Sequence, residues 1–127
     1  MSQTVVIIDD SRFILDKLVS FFVEKMGLEV VATGENGIEA IEAYRKFKPD
    51  LITMDITMPK MSGLDAIQQI KAEFPDAKII VISAIRGTNI LECMRAGALD
   101  FIEKPLRFEK KEFVAELIKT IEGYLVG

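Results

Sequence analysis

Asp55 closes the apolar run Leu51-Ile52-Thr53-Met54, and a turn-forming stretch, Thr57-Met58-Pro59-Lys60-Met61-Ser62-Gly63, follows almost at once. A carboxylate at the end of a short buried strand is costly unless it is paired, bound to a metal or used in a reaction. The same pattern recurs, since Val5-Val6-Ile7-Ile8 runs into Asp9-Asp10, Ile79-Ile80-Val81-Ile82 runs into Ser83, and Leu99 to Glu103 ends at Lys104-Pro105. If these runs are parallel strands, their C-terminal ends gather three carboxylates, a hydroxyl and an ammonium into one cleft, where open α/β sheets place their ligands.

Two unit charges about 4 Å apart repel by roughly 4 kcal/mol at an effective dielectric of 20. Asp9, Asp10 and Asp55 therefore need a counter-charge, and a divalent cation is the simplest. Mg²⁺ typically takes one or two carboxylates, keeps several waters and completes its octahedron with phosphate oxygens. Such an ion would hold a phosphoryl group against one carboxylate acting as nucleophile. Lys104 supplies a compact positive charge for phosphate, Ser83 a hydroxyl donor, and the backbone N–H groups after Asp55 a third set of contacts. Each residue also has an ordinary explanation. Asp10 or Ser11 could simply cap a helix, Ser83 could be a turn hydroxyl, Lys104 a solvated lysine and Asp55 a turn former. Their shared position at one end of four successive strands is what sets them apart.

The elements that must position these groups follow from the hydrophobic period. A first strand, about Thr4 to Ile8, precedes a helix with Ile14, Leu15, Leu18, Val19, Phe22 and Met26 on one face and Gly27 as its stop. Leu28 to Thr33 reads as a second strand and Gly34-Glu35-Asn36-Gly37 as a turn. A second helix carries Ile38, Ile41 and Tyr44 inward and ends near Lys48, before Pro49. After the third strand, Leu64, Ile67, Ile70 and Phe74 mark a helix that stops before Pro75. The fourth helix has a short apolar stripe, Ile90, Leu91 and Met94, before Gly97. The fifth, from about Phe108 to Leu125, packs Phe113, Leu117, Ile118, Ile121 and Leu125 and shows Lys110, Lys111, Glu116 and Lys119 to solvent. Alternating strands and helices predict a parallel sheet covered on both faces by right-handed crossovers. One domain over residues 1–127 is expected.

Composition narrows the function. A net charge of -4 argues against a nucleic-acid surface, which needs clustered Lys and Arg. No apolar run approaches the roughly 20 residues of a membrane span, and the first residues do not resemble a secretory signal, so a cytoplasmic protein is expected; it is also expected to be a monomer. Cys93 is the single cysteine and reads as a packed helix residue. There is no histidine, which removes Ser-His-Asp and Cys-His mechanisms and histidine zinc sites, leaving hard oxygen ligands as the metal chemistry.

The combination of Asp9-Asp10, Asp55 before Met58-Pro59 and Gly63, Ser83-Ala84, and Lys104-Pro105 resembles the receiver domain of two-component response regulators over essentially the whole chain. The resemblance implies a doubly wound, flavodoxin-like (CheY-like) α/β sandwich whose five parallel strands run in the order 2-1-3-4-5. It implies that Asp55 is the phosphoacceptor. Asp10, Asp55 and the main-chain carbonyl of Thr57 would bind Mg²⁺, with Mn²⁺ able to substitute, and Asp9 would support the metal through water. Lys104 would bind the phosphoryl group, Ser83 and Phe101 would be the switch residues, and the Lys104-Pro105 bond would be cis. A histidine kinase would donate the phosphoryl group, and an effector, the flagellar motor switch or another, would bind on the fourth helix, fifth strand and fifth helix. Met54-Asp55-Ile56-Thr57-Met58-Pro59 looks most like the CheY chemotaxis type, although many chemotaxis regulators carry tyrosine where Phe101 stands. The segment Leu106-Arg107-Phe108-Glu109-Lys110-Lys111 looks longer and more charged than usual.

On this reading the protein is a signalling acceptor and not an enzyme in the ordinary sense, although it would assist its own phosphorylation and dephosphorylation. A phosphorelay intermediate, passing phosphate to a histidine phosphotransfer protein, remains an alternative. An aspartate-based phosphatase of the haloacid dehalogenase type would want a second Asp where Thr57 stands. A flavodoxin-like electron carrier would meet repulsion between Asp9-Asp10 and its flavin phosphate. A receiver-like module that is never phosphorylated has no need of the full acidic set.

Overall fold

The computed structural model describes residues 2–84 and 88–126, Thr88 in its backbone only; the expected domain limits at 1 and 127 lie outside the described residues. Along the chain come β1 (Thr4–Ile8), α1 (Arg12–Ser20), a π-helical turn (Phe21–Lys25), β2 (Glu29–Gly34), α2 (Gly37–Phe47) and β3 (Leu51–Met54). Then follow α3 (Gly63–Glu73), β4 (Ile79–Ser83), α4 (Thr88–Ala96), β5 (Asp100–Glu103) and α5 (Lys111–Leu125). The strands form one parallel sheet in the order β2-β1-β3-β4-β5. This is the expected flavodoxin-like topology, and its order reverses direction at β1 and β3, where the cleft forms.

The alternation of side chains along each strand divides the core in two. Val6, Ile8, Ile52, Met54, Ile79 and Val81 meet α2, α3 and Cys93 of α4. Val5, Ile7, Leu51, Ile80 and Ile82 face α1, the π-helical turn and α5. β1, β3 and β4 are buried on both faces, which explains why they are continuous apolar runs rather than alternating ones.

Several sequence expectations shift. In α2 the inward positions are Ala40, Ile41 and Tyr44, while Ile38, in the first turn, is 42% exposed. In α4 the buried side chain is Cys93, whereas Leu91 is 54% exposed and Met94 is also outside. The fourth helix therefore turns Leu91 and Met94 outward, while Ile90 is half-buried. The π-helical turn after α1 buries Phe21 as well as Phe22, because its wider winding adds a residue and brings both rings inward. The second strand begins at Glu29 and includes Gly34, and Phe108 to Lys110 precede α5 instead of opening it.

The end of the sheet opposite the cleft is tied by hydrogen bonds. Asp50 Oδ2 accepts from Thr4 N at 2.7 Å, which joins the start of β1 to the approach to β3. Lys78 Nζ donates to the Tyr124 carbonyl at 2.7 Å, and Tyr124 Oη donates to Asp100 Oδ2 at 2.9 Å. Gln3 Nε2 donates to the Leu125 carbonyl at 3.0 Å.

Candidate functional site: an acidic cleft at the strand ends

The cleft is made by chain that has just left the sheet. Asp55 N donates to the Ile8 carbonyl at 2.9 Å and Asp9 N to the Gly34 carbonyl at 3.0 Å, so the ladder continues one residue beyond β3 and β1. Asp9 is 1% exposed and Asp55 6%, while Asp10 is exposed. One oxygen from each of the three carboxylates lies within 4.8 Å of the others. Asp10 is not the helix cap: Ser11 Oγ accepts from Ile14 N at 3.3 Å, and Ser11 N donates to Asp9 Oδ1 at 2.9 Å. Asp9 is thus oriented by backbone, and Asp10 faces the mouth of the cleft.

Lys104 follows β5 and is held by its backbone N–H, which donates to the Ser83 carbonyl at 3.0 Å. Its Nζ is 2.8 Å from Asp9 Oδ2 and 3.5 Å from Asp55 Oδ2. The Lys104-Pro105 peptide bond is cis. Ser83 ends β4, is 1% exposed, and its hydroxyl acts on the Asp55 carboxylate. Burial raises the Asp55 pKa and the Asp9 charge raises it further, while Lys104, Ser83 and the Ile56 N–H at 2.8 Å from Oδ1 pull the other way. The net direction is upward, so burial and the Asp9 charge outweigh the groups that favour the ionised form.

The loop after Asp55 is pinned at two points. Gly63 N donates to the Ile56 carbonyl at 2.9 Å and Gly37 N to the Met61 carbonyl at 2.9 Å. Ser62 caps α3 by accepting from Asp65 N. Thr57 sits exposed in this loop, two residues beyond Asp55, and Lys60 takes a left-handed conformation at φ 66°. Phe101, on β5, is partly buried against the core face that includes α4.

The sequence pointed to Asp9, Asp10, Asp55, Ser83 and Lys104, and the fold brings all five to one end of the sheet. It did not reveal the backbone donors of Ser11 and Ile56 that orient two of the carboxylates. Gly63 was the visible trace of the loop's tight return. Three carboxylates against one ammonium leave a formal charge of -2 among hard oxygen donors. That donor set fits a divalent cation such as Mg²⁺.

Residues 5–117 match the family model described as Response regulator receiver domain. The chain is 45% identical over 121 residues to the chemotaxis protein CheY of Thermotoga maritima, covering 94% of this chain and 98% of that one. The chain belongs to the response regulator receiver family and is a CheY-like signalling receiver. It also resembles part of a protein-glutamate methylesterase/protein-glutamine glutaminase of Oleidesulfovibrio alaskensis, 43% identical over 104 residues, which are 80% of this chain but 28% of that protein. In three dimensions it is similar to the CheX-CheY-BeF3-Mg+2 complex of Borrelia burgdorferi, with TM-score 0.88, 31% identity, and coverage of 98% of this chain and 90% of that one. Among the described residues no helix is long and apolar enough to cross a membrane.

Proposed function

We propose that the chain acts as a single receiver domain over residues 1–127, accepting a phosphoryl group on Asp55 from the phosphohistidine of a histidine kinase. The observation that carries this reading is the buried Asp55 carboxylate, which shares a cleft with two more carboxylates and the Lys104 ammonium. Asp10, Asp55 and the Thr57 carbonyl would hold Mg²⁺, with Asp9 supporting it through water. When bound, the ion neutralises the carboxylates and orients the phosphoryl oxygens. An Asp55 oxygen attacks phosphorus, the P–N bond breaks, and the histidine nitrogen leaves with the electron pair and takes up a proton from water. Lys104 then pairs with the phosphoryl group, and Ser83 donates to a second of its oxygens.

The change reaches a partner through Ser83 and Phe101. Drawing the Ser83 hydroxyl toward the phosphoryl group frees space under α4 into which Phe101 turns. The effector then binds on α4, β5 and α5, where Leu91 and Met94 are already exposed. The resemblance to CheY supports a role in chemotaxis, with the motor switch or another protein as effector. The protein works as a cytoplasmic monomer without direct contact to nucleic acid.

Labelling with a phosphorylated kinase or acetyl phosphate tests the reading. Wild type should label only with Mg²⁺ or Mn²⁺ present, and Asp55→Asn should not label at all. Stable labelling of that variant at another residue rejects Asp55 as the acceptor.

A further inference from the structure

Lys104 must leave Asp9, its nearer partner at 2.8 Å, to meet a phosphoryl group on Asp55. Where its ammonium settles depends on where its backbone is held. One anchor is the bond from Lys104 N to the Ser83 carbonyl. Beyond Pro105 the chain leaves the sheet, and its next backbone hydrogen bond is internal, from Lys110 N to the Arg107 carbonyl at 3.0 Å. Lys110, the N-cap of α5, makes no side-chain capping bond. Apart from the Lys110 carbonyl, which accepts from Val114 N at 3.1 Å where α5 begins, the segment is held among the described residues by the packing of Leu106 and Phe108 against the α1 and α5 face.

Phe108 is the larger of the two. Its ring centroid lies 5.5 Å from that of Phe21 and 5.9 Å from that of Phe113, edge-on to the latter. Phe21 is available because of the π-helical turn: it is buried beside Phe22, the two rings meeting edge-on at 5.2 Å. Three surface hollows along α1 and α5 share the Phe108 ring as a wall. Removing the ring would open these hollows to one another and take away the ring contact between this segment and Phe21 of the π-helical turn.

We infer that Phe108 is a positioning residue for Lys104: seated on Phe21, it holds residues 105–110 so that the ammonium can serve the Asp55 side of the cleft. This rests on the reading of Asp55 as phosphoacceptor. Without the ring, the segment drifts and the ammonium stays on Asp9. The loss then falls on phosphoryl capture and spares Mg²⁺ binding, because neither Asp10 nor Asp55 is carried by this segment.

The test is titration with beryllofluoride at saturating Mg²⁺, and with Mg²⁺ alone, on the intact protein. Phe108→Ala should weaken beryllofluoride binding roughly tenfold to a hundredfold, the scale of remote misplacement effects, with Mg²⁺ affinity unchanged. Phe108→Tyr, which keeps the ring, should restore binding, and Phe108→Leu should fall between. Leu117→Ala, a buried truncation in the same apolar cluster, controls for lost stability and should bind beryllofluoride as wild type does. Wild-type affinity in Phe108→Ala, or an equal loss in Leu117→Ala, overturns the inference while leaving the acceptor site standing. A wild-type protein that takes up no beryllofluoride overturns the acceptor reading itself, and the inference with it.

Discussion

Replacing Gly63 by Ala tests how tightly the fold holds the acceptor loop. A Cβ at this position would lie 2.0 Å from the Asp55 carbonyl oxygen, 2.9 Å from Ile56 Cα and 3.0 Å from the Asp55 carbonyl carbon. Ordinary contact begins near 3.4 Å, so the backbone would have to retreat by about 1.4 Å. All three obstacles are main chain, which has no rotamer with which to yield. The cost should therefore fall in the upper part of the overpacking range, about 2–3 kcal/mol. At about 4 °C per kcal/mol for a chain of this length, the thermal midpoint should drop by about 8–12 °C. Gly123→Ala is the internal control. It lies inside α5, its Cβ would meet nothing within 4 Å, and its φ is not positive. Relief of the glycine penalty should stabilise that variant by about 0.5–1 kcal/mol. Thermal and urea unfolding, followed by circular dichroism, would compare the two variants with wild type. A Gly63→Ala midpoint within about 2 °C of wild type would refute the claim that the loop is clamped against Asp55.

Three further outcomes follow from the cleft and its loop. Because burial and then Asp9 raise the Asp55 pKa, the stability held by its protonated form is complete below the unfolded value of 3.8 and lost as pH rises through the folded value. In chelator, Asp55→Asn should therefore unfold at a higher temperature than wild type at pH 7, with the gap closing toward pH 3.8; a pH-independent gap would contradict this. Lys104→Met strands the buried carboxylates and should destabilise by about 3–5 kcal/mol, part of which added Mg²⁺ should recover in a melting titration; no response to Mg²⁺ would argue against a shared site. Lys60→Gly relieves a left-handed conformation at φ 66° and should stabilise by about 1 kcal/mol, whereas a loss in urea denaturation would show that its side chain carries an unrecognised contact.

The sheet was legible because each central strand is buried on both faces, so an apolar run interrupted by Asp9, Asp55 or Ser83 marks both the strand and its functional end. Helix faces were harder to place. Ile90, Leu91 and Met94 fall at helical spacing, yet Cys93 is the residue that faces the core. Which side of a short helix turns inward is decided by the sheet and by α3, not by the stripe alone. Ile38 was misplaced for a related reason: small Ala40 and the Ile41 and Tyr44 side chains define the contact face of α2, leaving its first turn outside. Phe21 was missed because a 3.6-residue template cannot register the extra residue of a π-helical turn. At Asp10 and Ser11 either side chain was a suitable cap, and only the bond from Ile14 N to Ser11 Oγ decides between them.

The bond between Gln3 and the Leu125 carbonyl places the two extremities of the described fold side by side, at the pole opposite the acidic cleft. A short peptide could join them, making the domain a suitable subject for circular permutation with new openings in its surface loops. The same arrangement constrains fusions. A module attached at either extremity starts from the pole opposite Asp55, away from the phosphoryl group. A fluorescent or enzymatic reporter grafted there would measure a change transmitted through the sheet and its helices without crowding the cleft.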